Sequence, residues 1–302
     1  MGLRFLWATD GSPNSRAALP LLERLFLPAA DVVYVLVVAP RTATEGERPD
    51  PIALLERLLP GYQERLTEET TRVATEATDL VPKGVAKIET LVRLGRPASV
   101  IVDVAEDVGA DVILVGSRGY TGLKSLLMGS VSSSVLTDAH CSVLIARPDA
   151  APLERILFAT DGSDAARSAE AFLASLPRPE GVRVTVLSVA EPYVVPAAVP
   201  LPYAMDVQRI TDEILRYRQE HAERAASEAA RRLTEAGWPA EPRTAFGPAA
   251  ATIVAEADAL GAGLIVVGAA GMNPIERFVV GSVAARVARV ARRSVLVVRR
   301  PE

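Results

Sequence analysis

The chain reads as one unit written twice, so any fold it adopts has to satisfy both copies within 302 residues. RFLWATDGSPNSRAALPLLERL from Arg4 aligns with RILFATDGSDAARSAEAFLASL from Arg155, and VVYVLVVAP from Val32 aligns with VRVTVLSVAEP from Val182. ADVILVGSRGYTGLKSLLMGSVSSSV from Ala110 aligns with AGLIVVGAAGMNPIERFVVGSVAARV from Ala262, and SVLIARP from Ser142 with SVLVVRRP from Ser294. Each copy carries Gly-x2-Gly-x9-Gly-Ser, first as Gly116, Gly119, Gly129 and Ser130, then as Gly268, Gly271, Gly281 and Ser282. RPDAAPLE, with Pro148 and Pro152, reads as a junction, giving domains 1–148 and 153–302 joined by linker 149–152.

Within a copy, short β-branched runs bounded by turn residues alternate with helical patterns, the mark of a parallel sheet built from βαβ crossovers. Arg4 to Ala8, Val32 to Val38, Lys87 to Val92, Asp111 to Val115 and Ser142 to Ala146 are the expected strands. Their nearly unbroken apolar character suits strands covered on both faces. Asn14 to Phe26, Ile52 to Thr78, Pro97 to Val108 and Ser130 to Thr137 are the expected helices, and the second copy adds a longer charged one from Asp206 to Glu235. Such a sheet binds ligands beyond the carboxyl ends of its strands, where the strand order reverses. ATDGS after strand one and the glycine motif after strand four are therefore expected to face one ligand.

Composition removes several classes of function. A net charge of −4 gives none of the basic surface that nucleic acid or an anionic membrane requires. One cysteine, Cys141, and two histidines, His140 and His221, form no metal-site spacing. MGLRFLWATDGS lacks a leader's apolar core, and no run of about eighteen apolar residues occurs, so a cytoplasmic protein is expected.

The glycine motif has a chemical reading. Gly116 and Gly119 lack side chains where main-chain N–H groups would approach phosphate oxygens, and Gly129-Ser130 opens a helix whose first N–H groups favour an anion. Ser130 is expected to cap that helix or donate to phosphate. Neither G-x-x-x-x-G-K-[ST] nor a G-x-G-x-x-G after the first strand is present, so this is neither a P-loop nor the dinucleotide fingerprint.

GSRGYTGLKSLLMGSVSSSV, the early ATDGS, Gly95-Arg96-Pro97 and the closing SVLIARP together resemble the universal stress protein family, and the duplication resembles its tandem form. The resemblance covers nearly the whole chain and is to the family's ATP-binding branch. It implies two tandem Rossmann-like (adenine nucleotide alpha hydrolase-like) α/β domains. Each would hold a five-stranded parallel sheet in order 3-2-1-4-5 with helices on both faces. The two would pair through their fifth strands as an intramolecular pseudo-dimer. It also implies an adenine nucleotide ligand, ATP with AMP or ADP as alternatives, and Mg near Asp10. Carried over residue by residue, Asp10 lies by the ribose, the phosphates or the ion, Val38 presents its backbone to adenine, and Gly116, Arg118, Gly119, Gly129 and Ser130 hold the phosphates. In the second domain the matching residues are Asp161, Val189, Gly268, Gly271, Gly281 and Ser282.

The copies differ where it matters for binding. Ser117, Arg118 and Gly122 of the first are replaced by Ala269, Ala270 and Pro274 in the second, which removes side-chain donors, one cation and one N–H. A tighter first site follows. The leading function is then an ATP-binding regulatory protein of the stress response, whose nucleotide occupancy tunes its conformation or its binding of protein partners or further copies of itself. A weak ATPase or autokinase and a nucleotide-free interaction scaffold are the alternatives. No nucleophile, base and orienting group cluster in the sequence, and the arginine finger that phosphoryl transfer uses is not evident, so no catalytic residue is assigned.

Overall fold

A computed structural model describes residues 2–39, 58–119, 128–148, 150–192, 204–269 and 280–299. The chain divides into two compact units, residues 1–149 and 150–300. Unit 1 contains strands β1 (Leu3–Ala8), β2 (Ala30–Ala39), β3 (Lys87–Leu94), β4 (Val112–Gly116) and β5 (Ser142–Ala146). They lie in order β3-β2-β1-β4-β5, every neighbouring pair parallel. Unit 2 repeats the arrangement with β6 (Arg155–Ala159), β7 (Arg183–Ala190), β8 (Ala240–Phe246), β9 (Leu264–Gly268) and β10 (Ser294–Val298), in order β8-β7-β6-β9-β10. The α/β fold and the strand order expected from sequence are both present.

The order follows from how the strands are written. β1, β4 and β5 are short apolar runs, and Phe5, Leu6, Trp7, Ile113, Leu114, Val143 and Leu144 are all fully buried, as strands inside a two-faced sheet must be. β3 and β8 carry KIETLVRL and AEPRTAF, with charges and a proline on exposed positions, which suits sheet edges and blunts them against pairing with another chain. Lys87 and Glu89 pair across the surface of β3 at 2.5 Å. Such exposed pairs contribute little stability.

The first crossover differs between the copies. In unit 2 a continuous helix α6 spans Asp164–Ser175, capped by Ser163, whose side chain accepts from the Ala166 N–H. In unit 1 the helix expected over Asn14 to Phe26 is broken into α1 (Pro13–Arg16), α2 (Leu19–Leu21), a π-turn Leu22–Phe26 and a 3-10 turn Leu27–Ala29. Pro20 and Pro28 lack N–H donors and interrupt the ladder there, whereas AARSAEAFLAS has no proline. The buried face survives, with Ala18, Leu22, Leu25 and Phe26 at 0% exposure.

The remaining helices of unit 1 are α3 (Tyr62–Leu80), α4 (Pro97–Asp107) and α5 (Ser130–Asp138). Those of unit 2 are α7 (Ala204–Glu235), α8 (Ala249–Ala259) and α9 (Ser282–Val290). α7 buries Ala222, Ala225, Ala226, Ala229, Ala230 and Leu233 on one stripe, a helical spacing of small residues that lets a long helix lie close to the sheet. Arg232 of α7 meets Glu170 of α6 in a two-pronged ion pair at 2.5 and 2.9 Å.

Candidate functional site

The loop after β1 is built by its own side chains. Thr9 Oγ1 accepts the Gly11 N–H at 3.0 Å and pairs with Ser15 Oγ at 2.8 Å, while Asp10 Oδ1 accepts the Ser12 N–H at 3.0 Å. Gly11 sits at φ 78, a left-handed conformation that costs a side-chain-bearing residue energy. Ser12 then caps α1 by accepting from the Ser15 N–H. Unit 2 builds the same turn: Gly162 at φ 75, its N–H to Thr160 Oγ1 at 3.2 Å, and Ser163 N–H to Asp161 Oδ1 at 2.9 Å. The aspartates are exposed and held in one orientation by the turn.

The glycine motif meets this loop at two points, for two reasons. A Cβ on Gly119 would fall 2.7 Å from Asp10 Oδ2, so the loops after β1 and β4 come together at the carboxylate. Gly116 has a packing role: a Cβ there would lie 2.6 Å from Asn14 C and Ser15 N, main-chain atoms of α1. Gly268 stands in the same relation to Ala165 C, also at 2.6 Å. Missing side chains at these two positions let the first helix of each unit lie against β4 and β9.

Gly129 closes the neck of the loop that leaves β4, donating its N–H to Ser117 O at 2.7 Å, and Gly281 does the same to Ala269 O at 2.5 Å. Gly129 and Gly281 are the N-caps, without a side-chain cap, so Ser130 and Ser282 are first-turn residues; of the two roles expected of Ser130, the cap falls to Gly129. Both hydroxyls are exposed at the helix start, where the unpaired first N–H groups also lie. Ser132 secures the arrangement by donating from Oγ to Gly116 O at 2.7 Å. Gly271, together with Gly122, Ala270 and Pro274, lies outside the described residues.

Val38 is placed by the end of a ladder. Pairing of β1 with β2 stops at Ala8 and Leu36, and the last bond runs from Thr9 N–H to Leu36 O at 2.9 Å. Main-chain groups two residues apart share a strand edge, so those of Val38 run past the end of β1. The Gly11 N–H that would continue the ladder turns back to Thr9. Val189 is in the same situation, because pairing of β6 with β7 stops at Ala159 and Leu187, with Thr160 N–H to Leu187 O at 2.9 Å.

The sequence reading gave no role to the arginine after each fifth strand. Arg147, directly after β5, is only 5% exposed, and Arg299 after β10 is 7% exposed. Burial, with the neighbouring Arg118 guanidinium second, pulls the Arg147 pKa down to about 10, so it remains a cation at neutral pH. An arginine at the same place after both apolar fifth strands was the available signal. Ser117, fully buried at the end of β4, holds an Oγ with no hydrogen-bond partner among the described residues. Unit 2 has Ala269 there, and adds His221 of α7, whose Nε2 lies 3.0 Å from Asp161 O. Among the described residues, no group of three or more histidine, cysteine or acidic side chains is placed to hold a metal ion, and no helix is long and apolar enough to cross a membrane.

These observations define a tandem, doubly wound α/β protein in which the loops after β1 and β4 of unit 1 meet at the carboxyl ends of their strands. The profile of the Universal stress protein family matches residues 1–147 and again 152–299, and the chain belongs to that family. Universal stress protein MJ0531 of Methanocaldococcus jannaschii is 38% identical over 142 residues, 46% of this chain and 78% of that protein. Universal stress protein YxiE of Bacillus subtilis is 29% identical over 145 residues, 48% of this chain and 98% of that protein. The crystal structure of a universal stress protein from Archaeoglobus fulgidus superposes over 99% of this chain and 97% of its own, with a TM-score of 0.64 and 22% identity.

Proposed function

We propose that unit 1 binds an adenine nucleotide, ATP by the family resemblance, as a regulatory ligand whose occupancy tunes the protein's conformation or partner surface. The observation that carries this reading is the contact of two loops at one point, the Asp10 carboxylate held by Ser12 N–H and set against Gly119. In this reading the Val38 main chain receives the base, Asp10 lies by the ribose and phosphates, and Gly119, Arg118, Gly129 and Ser130 hold the phosphates. Gly116 contributes by seating α1. A single exposed carboxylate beside phosphate oxygens fits Mg, which binds through one or two carboxylates plus substrate phosphates and keeps several waters. When bound, that ion would neutralise phosphate charge.

Unit 2 keeps the Asp161 turn, the Val189 edge and the Gly281 neck but has Ala269 in place of Ser117 and Ala270 in place of Arg118. It is the weaker site in this reading. Denaturing the purified protein and counting released nucleotide tests both parts: one adenine nucleotide per chain is expected. Two per chain would remove the inequality, and none, together with a flat titration with Mg and ATP, would remove the nucleotide.

A further inference from the structure

The strand order works as a ruler along the site. Val38 is on β2, Asp10 follows β1, the Ser117-Arg118-Gly119 loop follows β4, and Arg147 follows β5, so these groups stand over consecutive strands β2-β1-β4-β5. Neighbouring strands lie roughly 4.8 Å apart, so Val38 and Arg147 are separated by three spacings, about 14 Å. Ser117 N–H donates to Ala146 O at 2.9 Å, which extends the β4 and β5 ladder by one step and sets Ser117 beside Arg147. Two cations and one fully buried hydroxyl with no hydrogen-bond partner among the described residues therefore gather at the end of the ruler opposite Val38.

We propose that Arg147, acting with Arg118, is a specificity residue of unit 1 that engages the terminal phosphates of the ligand and selects di- and triphosphates over monophosphates. The inference rests on the nucleotide reading above, with the base at β2. A monophosphate anchored there ends over β1 and β4, one strand short of Arg147, whereas a longer phosphate chain continues to β5. Guanidinium groups suit this task because their planar donor fork matches phosphate oxygens and remains charged at neutral pH even after burial. The Arg118 charge adds to the cost of the Arg147 charge, and an anion placed between them lowers that cost.

The test is calorimetric titration of the full chain with Mg-ATP, ADP and AMP, for the wild type, Arg147→Met and Arg147→Lys. Met has similar length and no charge, and the lowered pKa of Arg147 shows that its charge costs the folded state energy, so the variant is expected to melt no lower than the wild type. Arg147→Met is expected to lose about tenfold in ATP and ADP affinity and to leave AMP within about twofold, with Arg147→Lys intermediate. Equal losses for all three nucleotides, or no loss for any, would overturn the role of Arg147 while leaving the nucleotide site standing. A wild-type protein that binds none of the three would overturn the nucleotide reading, and this inference with it. Arg299→Met serves as the control for unit 2 and is expected to leave the unit 1 affinities unchanged.

Discussion

Gly116→Ala is the sharpest test of what the glycine motif does, because its cost is set by main-chain atoms that have little room to move. The added methyl would stand 2.6 Å from Asn14 C and Ser15 N and 2.7 Å from Asn14 O. The first turn of α1 is pinned there from three sides: Ser12 caps it, Trp7 Nε1 donates to Ser15 O at 3.0 Å, and Thr9 Oγ1 meets Ser15 Oγ at 2.8 Å. Relief requires β4 and α1 to part by about 1 Å, and overpacking of this kind costs about 3 kcal/mol at the upper end of its usual range. Alanine restricts the unfolded chain and returns about 0.7 kcal/mol, leaving a net loss of about 2 kcal/mol. With a urea m-value of about 2 kcal/mol/M, the unfolding midpoint of unit 1 falls by about 1 M. The chain has two tryptophans, Trp7 in unit 1 and Trp238 in unit 2, so fluorescence in a Trp238→Phe background reads unit 1 alone. Gly119→Ala is the contrast, since its methyl meets only the end of the Asp10 side chain at 2.7 Å, with the next atom at 3.8 Å. It is expected to shift stability by less than about 0.5 kcal/mol, as exposed substitutions do, while displacing the carboxylate and weakening nucleotide binding. Coincident urea curves for Gly116→Ala and the wild type would refute the packing argument.

Other outcomes follow from the same geometry. Ser12→Ala and Ser163→Ala each remove a helix cap and are expected to cost about 1 kcal/mol in urea unfolding of their own unit, with a larger effect at Ser163 counting against equivalent turns. Arg232→Ala leaves the Glu170 carboxylate, 8% exposed, without its partner and is expected to destabilise unit 2 by about 3 kcal/mol at pH 7. A coupling near zero in the Arg232→Ala, Glu170→Ala double-mutant cycle would show that packing, not the ion pair, was removed. Arg147→Met in nucleotide-free protein is expected to leave the melting temperature of unit 1 equal or higher, by an amount constant from pH 6 to 9. The sign follows from the lowered pKa of Arg147: its folded form keeps the proton below about 10, so both states are protonated across that window and the burial penalty is fully present. A gain that varied across it would point to another titrating group.

Much was legible in the sequence because it depends on local periodicity and on the duplication. Five strands per unit, their parallel arrangement and the start of α5 at Ser130 could be read from apolar runs, turn residues and the repeat, since a strand buried on two faces has to be written as one, whereas the strand order came from the family resemblance. The broken helix over residues 13–29 was also written there, as Pro20 and Pro28, but a strong apolar pattern hid it. The pairing of Asp10 with Gly119 was anticipated as a shared crevice. What only the tertiary structure decided is how each glycine is used. Gly116 and Gly119 look alike in a motif, yet one faces the backbone of α1 and the other a carboxylate, because those neighbours come from a segment roughly a hundred residues earlier in the chain. Arg147 makes the same point for charge: its place after an apolar strand was visible, but its burial beside Arg118 exists only once β4 and β5 are paired. Local sequence chose the elements, and contact between distant segments chose the role of each side chain.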